Sequence, residues 1–127
     1  MARIETTIDV PAEITVHKVH GKVTFEEVRA KLHEYYKGPV TRLILWDCLE
    51  GDMSAITAAD IRGMASLASE YSHMRPNGKT ALVLINIGDF GDGRMLEAYA
   101  SSNGNTIKIM PFRDMISAYA WLGICRK

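Results

Sequence analysis

The sequence predicts an α/β domain built on a five-stranded mixed sheet with four helices, in the order β-β-α-β-α-β-α-β-α. Three observations carry this expectation. Two short segments of alternating character open the chain with only a few residues between them, which suits an antiparallel hairpin. Two almost unbroken apolar runs, residues 43–46 and 81–85, read as strands buried on both faces. Between the later strands lie stretches of helical periodicity of crossover length, which implies parallel strands joined by right-handed connections.

The first strand covers residues 3–9, with Ile4, Thr6 and Ile8 on one parity, and closes at Val10-Pro11. The second runs over about residues 13–20 and ends at Gly21-Lys22. Thr24 with Glu27 three residues later forms a capping-box pattern, and Phe25, Val28, Leu32 and Tyr35 follow at helical spacing. Lys37-Gly38-Pro39 ends that helix, because Gly accepts a left-handed cap and Pro cannot continue the turn. After the buried strand 43–46 and Asp47 comes a mixed segment to Ile56. Thr57 and Asp60 then cap a second helix, with Ile61, Met64, Ala65, Ala68 and Tyr71 on its apolar face, ending near residues 72–74.

Pro76-Asn77-Gly78 turns the chain into the strand 81–85. Residues 87–93 (IGDFGDG) read as a Gly- and Asp-rich turn that leads into a third helix through Met95, Leu96, Ala98 and Tyr99. Residues 101–105 break that helix, with Gly104 at its cap. A last strand is expected over 106–110, Pro111 in a first helical turn, and a final helix over 112–122 packed through Phe112, Met115, Ile116, Tyr119 and Trp121.

At 127 residues the chain is one domain, 1–127, since a second core could not be filled. With 47% hydrophobic and 24% charged residues it has the makeup of a folded globule rather than a disordered chain. Fifteen Lys and Arg balance fifteen Asp and Glu, which argues against a nucleic-acid partner. Cys48 and Cys125 make neither a disulfide framework nor a CxxC pair, and no signal-like or membrane-spanning apolar run is present, so a cytoplasmic location is expected.

In an open α/β sheet the ligand site lies beyond the carboxyl ends of the parallel strands. That places Asp47, Ser54 and Thr57 in one turn and Asp89, Gly91, Gly93 and Arg94 in another as ligand-binding candidates. The first turn suits a phosphoacceptor loop, a metal-binding acidic loop or a plain helix cap. The second suits a backbone anion site with Arg94 as its charge, or a turn whose glycines serve geometry alone. His17 and His20, at i and i+3 on a strand, face opposite ways, and His33 and His73 match no ligand spacing, so no metal is expected. No GxSxG elbow, Walker sequence or HExxH is present, and neither a catalytic set nor a cofactor is expected. The seven methionines mostly occupy helical core positions, and Met-rich walls also suit an adaptable apolar pocket.

These residues resemble the STAS family (sulfate transporter and anti-sigma-factor antagonist domains), within it the SpoIIAA-like branch, whose fold is shared with SEC14-type lipid-binding domains. The resemblance is carried by ITVHKVHGKVTFEEV (14–28), LILWD (43–47), the Gly-rich segment with Arg and Glu beyond it (91–97) and FRDMISAYAWL (112–122). It implies a non-enzymatic regulatory or binding module for a small apolar or anionic ligand, a lipid included, or for a protein partner. Alternatively it implies a phosphorylation-controlled anti-sigma-factor-antagonist-like interaction protein: DMSAI (52–56) aligns with the family's phosphoacceptor turn, with Ser54 at the second serine and Met53 at the first. A reading of another class is a small hydrolase or transferase using Asp47, Ser54 or Arg94. An edge hairpin and apolar helix faces also fit a homodimer.

Overall fold

The computed structural model describes residues 2–102 and 106–124. Its elements are β1 (Arg3–Asp9), β2 (Ile14–Lys22), α1 (Phe25–Lys37), β3 (Leu43–Asp52), α2 (Ala58–Glu70), a single 3₁₀ turn (Ser72–Met74), β4 (Lys79–Val83), α3 (Ile87–Ser102), β5 (Lys108–Phe112) and α4 (Met115–Leu122). The sheet order is β1-β2-β3-β4-β5, with β1 antiparallel to β2 and the remaining pairs parallel. This is the five-stranded mixed sheet and four-helix complement that the sequence predicts.

Four polar caps start the helices. The Thr24 hydroxyl accepts from Glu27 N at 3.2 Å while the Glu27 carboxylate accepts from Thr24 N at 3.0 Å. Thr57 and Asp60 repeat the exchange at 3.1 and 2.9 Å. At α3, Asn86 Oδ1 accepts from Asp89 N at 2.9 Å and the Asn86 amide donates to the Asp89 carboxylate at 2.9 Å. Asp114 accepts from Ser117 N at 2.7 Å to open α4. Each satisfies backbone donors that the first turn leaves without partners.

Because each parallel strand is added on the same side of its predecessor, connections of one hand put every crossover helix on one face. α1, α2 and α3 accordingly cover one side, with Tyr35 and Tyr36 packed on Ile44, Trp46 and Cys48, and Ala65 and Ala100 packed with Ile109. Among the described residues the other face carries α4, whose Ala118 and Leu122 meet Ile14, Leu43, Leu45, Ala81 and Val83. Alternation along β3 thus sends even-numbered side chains to the three-helix layer and odd-numbered ones to α4.

Several local expectations are corrected. β2 and β3 run beyond their apolar stretches, pairing His20, Gly21 and Lys22 with Glu50, Gly51 and Asp52 across a register shift near Val19. Charged and glycine residues disguise this extension as loop, whereas cross-strand contacts such as Lys18–Glu50 at 3.0 Å support it. The β4 strand starts earlier than expected and leaves Ile85 outside it and exposed.

The IGDFGDG segment is helix rather than turn. Asn86 supplies the cap, and a Cβ on Gly93 would come within 2.8 Å of Pro111 and 2.9 Å of Leu84, so glycine there serves the close approach of α3 to the sheet. Pro111 lies in β5, not in a helical turn. As an edge strand, β5 tolerates a residue without an N–H. The last helix starts at Met115, and Ile116 points to solvent at 77% exposure. The expected cap at Gly104 lies outside the described residues.

Candidate functional site

The sheet order never reverses among the parallel strands, so the sheet has no topological switch point and no crevice of the kind that a reversal opens at strand ends. The space appears elsewhere. Between the sheet and the α1–α2–α3 layer lies a cavity of about 130 Å³. Its floor is Val19, Ile44, Trp46, Cys48, Leu82 and Ile109, its roof Val28, Leu32, Ile61, Met64, Leu67 and Leu96, and Met53 and Ile56 close one flank from the β3–α2 loop. Met53 and Met64 supply the soft thioether walls that suit an adaptable apolar site.

Polar groups stand at the two ends. Near the start of β4 is Arg75, 2% exposed, which donates to Thr41 O at 3.1 Å, Arg42 O at 2.9 Å, Lys79 O at 2.8 Å and Thr80 Oγ1 at 2.9 Å. Burial raises the pKa of the nearby Tyr36 hydroxyl against the opposing pull of the Arg75 guanidinium. All these acceptors are neutral oxygens, so the charge is held by dipoles, and the guanidinium ties the chain before β3 to β4. At the other end are Asp89 and Asp92. Burial pushes the Asp89 carboxyl above its usual range, and the negative charges of Asp92 and Asp52 add to that, while the Asn86 amide opposes it.

Cys48 faces the cavity but is not equipped as a nucleophile. Burial, reinforced by Asp47 and Asp89, raises its thiol pKa to about 12, so it stays protonated at neutral pH. His17, wholly buried beneath α1, is held neutral with its pKa lowered to about 4, chiefly by desolvation and then by the charges of Lys31 and Arg75. Among the described residues no group of three or more His, Cys, Asp or Glu is placed to hold a metal ion.

Of the residues singled out from sequence, Asp89 and Gly93 line the cavity. Asp47 is buried on the α4 side of the sheet by its parity and accepts from Leu49 N at 3.2 Å. Ser54 and Thr57 are exposed in the β3–α2 loop, Ser54 N donating to Asp52 Oδ1 at 2.9 Å and Thr57 capping α2. Gly91 faces open space, and Arg94 is exposed and sits 3.7 Å from Glu97. Asp47, Ser54 and Arg94 therefore do not converge. Arg75 and the cavity went unpredicted: Arg75 sits beside a Pro-Asn-Gly turn with no periodic signal, and the cavity depends on the separation of layers.

The arrangement defines a class by its architecture, a SpoIIAA-like α/β fold with its three crossover helices on one face. Among solved structures the chain is similar to an uncharacterized protein from the DUF3478 family with a SpoIIAA-like fold from Shewanella loihica PV-4, at a TM-score of 0.55 and 17% identity over 95% of this chain and 93% of that one. No family model and no curated protein matches the sequence. Among the described residues no helix is long and apolar enough to cross a membrane.

Proposed function

We propose that the protein is a non-enzymatic, STAS-like binding module that holds the apolar portion of a small ligand in the cavity beneath α1, α2 and α3. The cavity itself carries this reading: a half-open space of about 130 Å³ with an almost wholly apolar wall offers apolar surface that a ligand would remove from water. Its size is close to that of an engineered cavity of about 150 Å³ that binds benzene, and well below the roughly 300–1,000 Å³ of drug-sized pockets. One ring or a short alkyl chain matches this volume. Asp89 and Asp92 disfavour an anionic group at their end, and four of the five N–H donors of Arg75 are already engaged, so an apolar or neutral ligand is favoured over an anion.

The test is a titration with benzene and a series of straight-chain alkanols, read by calorimetry and by the thermal midpoint. Affinity should rise with chain length to a limit set by the cavity, then level. Ala68→Phe, which fills the space, should abolish binding with the fold retained. Equal binding by this variant, or no binding of any probe, would overturn the reading.

A second reading rests on Ser54, exposed in the loop whose Met53 and Ile56 flank the cavity. Phosphorylation there adds about two negative charges near the start of α2, changing the surface a partner meets. Ser54→Asp should alter capture of a protein partner without altering stability. Unchanged capture would remove this alternative.

A further inference from the structure

Among the described residues β1 is one edge of the sheet, and its outer backbone groups have no strand beside them. It pairs with β2 along all seven residues in unbroken register, so no bulge twists the edge away, and it contains no proline. The opposite edge, β5, is interrupted by Pro111. Beside the bare edge stand two of the exposed large apolar side chains, Ile8 at 41% and Val10 at 71% exposure. Such an edge is a template for another strand.

The residues of β1 specify which strand. When RIETTID is laid antiparallel to a second copy of itself about a two-fold axis at Thr6, Arg3 falls opposite Asp9 of the second copy, Ile4 opposite Ile8, Glu5 opposite Thr7 and Thr6 opposite Thr6. Beyond the strand, the exposed Val10 lies toward Ala2 of the second copy. One face of the junction pairs opposite charges, and the other pairs aliphatics, as cross-strand neighbours require. A two-fold axis normal to the sheet allows only slips of the axis by whole residues. Moving it to Glu5 sets Glu5 against Glu5, and moving it to Thr7 sets Glu5 against Asp9, so both neighbouring registers place like charges face to face.

We propose that two copies of this chain join edge to edge through antiparallel β1 strands centred on Thr6. The result is one continuous sheet of ten strands, five from each copy. Because the axis is normal to the sheet, the three-helix layers of both copies lie on the same side, and so do both cavities. A junction of one strand pair buries less than the roughly 1,200–2,000 Å² of a standard stable interface, so the dimer is weak and concentration-dependent.

Sedimentation equilibrium of the full chain over about 1 µM to about 1 mM tests this. A reversible monomer–dimer equilibrium is expected within that range, with slowed amide exchange in β1 at the high end. R3D and D9R each set like charges at both symmetric pairs and should weaken association at least about ten-fold, whereas an equimolar mixture of the two restores opposite charges and should recover it. Asp9 also accepts from Ala12 N at 3.2 Å, so if D9R fails to fold the pair T7E and T7K replaces it. Opposite Glu5 of the second copy, T7E should weaken and T7K should strengthen the dimer. A monomer at every concentration, or a dimer indifferent to R3D and to the Thr7 pair, overturns the proposal.

Discussion

The ring of His17 lies 4.4 Å, centroid to centroid, from the indole of Trp46 on the neighbouring strand, while its Nδ1 meets the Thr6 hydroxyl at 2.9 Å. The imidazole thereby joins β1, β2 and β3, and its other nitrogen, Nε2, is buried with no hydrogen-bond partner among the described residues. Burial of this ring, with the charges of Lys31 and Arg75 nearby, fixes the sign of a pH dependence. The folded state lowers the pKa from 6.5 to about 4, so the unfolded chain takes up a proton that the fold refuses. The contribution is complete above about pH 6.5 and is lost as the pH falls toward 4. The loss amounts to about 2 kcal/mol by pH 5 and to about 3 kcal/mol below both values. Urea denaturation at pH 7.5 and 5 should show this loss in the wild type and not in His17→Gln.

Gly91 and Gly93 separate a helix from a turn at the start of α3. Gly91→Ala places a methyl in open space on a helical backbone and should stabilise the protein by about 0.5–1 kcal/mol. Gly93→Ala drives a methyl into Pro111 and Leu84 and should destabilise it by about 1–3 kcal/mol. Opposite shifts of the thermal midpoint confirm the helix. Were the segment a turn needing positive φ at Gly91, both substitutions would destabilise.

Arg75 should prove irreplaceable even by lysine. Its fork reaches Thr41, Arg42, Lys79 and Thr80 together, a geometry an ammonium cannot copy. Arg75→Lys should cost at least about 2 kcal/mol in denaturant unfolding, by leaving buried carbonyls without donors. A cost below about 0.5 kcal/mol would show that water replaces the guanidinium.

Cys48 should resist alkylation. With its thiol pKa near 12 and its side chain buried, iodoacetamide at pH 8 should modify it only as fast as the protein unfolds, as read from the peptide carrying Cys48. Rapid labelling in the native state would place the thiol in contact with solvent.

Capping gives a modest effect. Thr24→Ala and Thr57→Ala should each cost about 1 kcal/mol, and Asn86→Ala a similar amount if it caps α3 as Thr24 caps α1. A thermal midpoint unchanged by Asn86→Ala would mean that α3 begins later in the chain.

The local signals in this sequence are strong where they rest on stereochemistry. Thr24 with Glu27 and Thr57 with Asp60 announce helix starts because their side chains meet donors only three residues away. The apolar runs around Leu45 and Val83 announce central strands because both faces must be covered. Those features, with the short opening hairpin, determine the element order and the mixed sheet. What depends on layers closing over one another is not written locally. Position 93 is glycine because Pro111, eighteen positions on, leaves no room for a Cβ, and Arg75 is buried because β4 and the chain before β3 bring four oxygen acceptors to one point. Asp47, Ser54 and Arg94 are near strand ends in sequence, yet strand parity, loop exposure and the outer face of α3 send them apart. The sequence by itself therefore determined the main elements and their order, since these follow from contacts a few residues long. The tertiary structure alone decided where a ligand has room, because a cavity is set by how far apart packed layers stand.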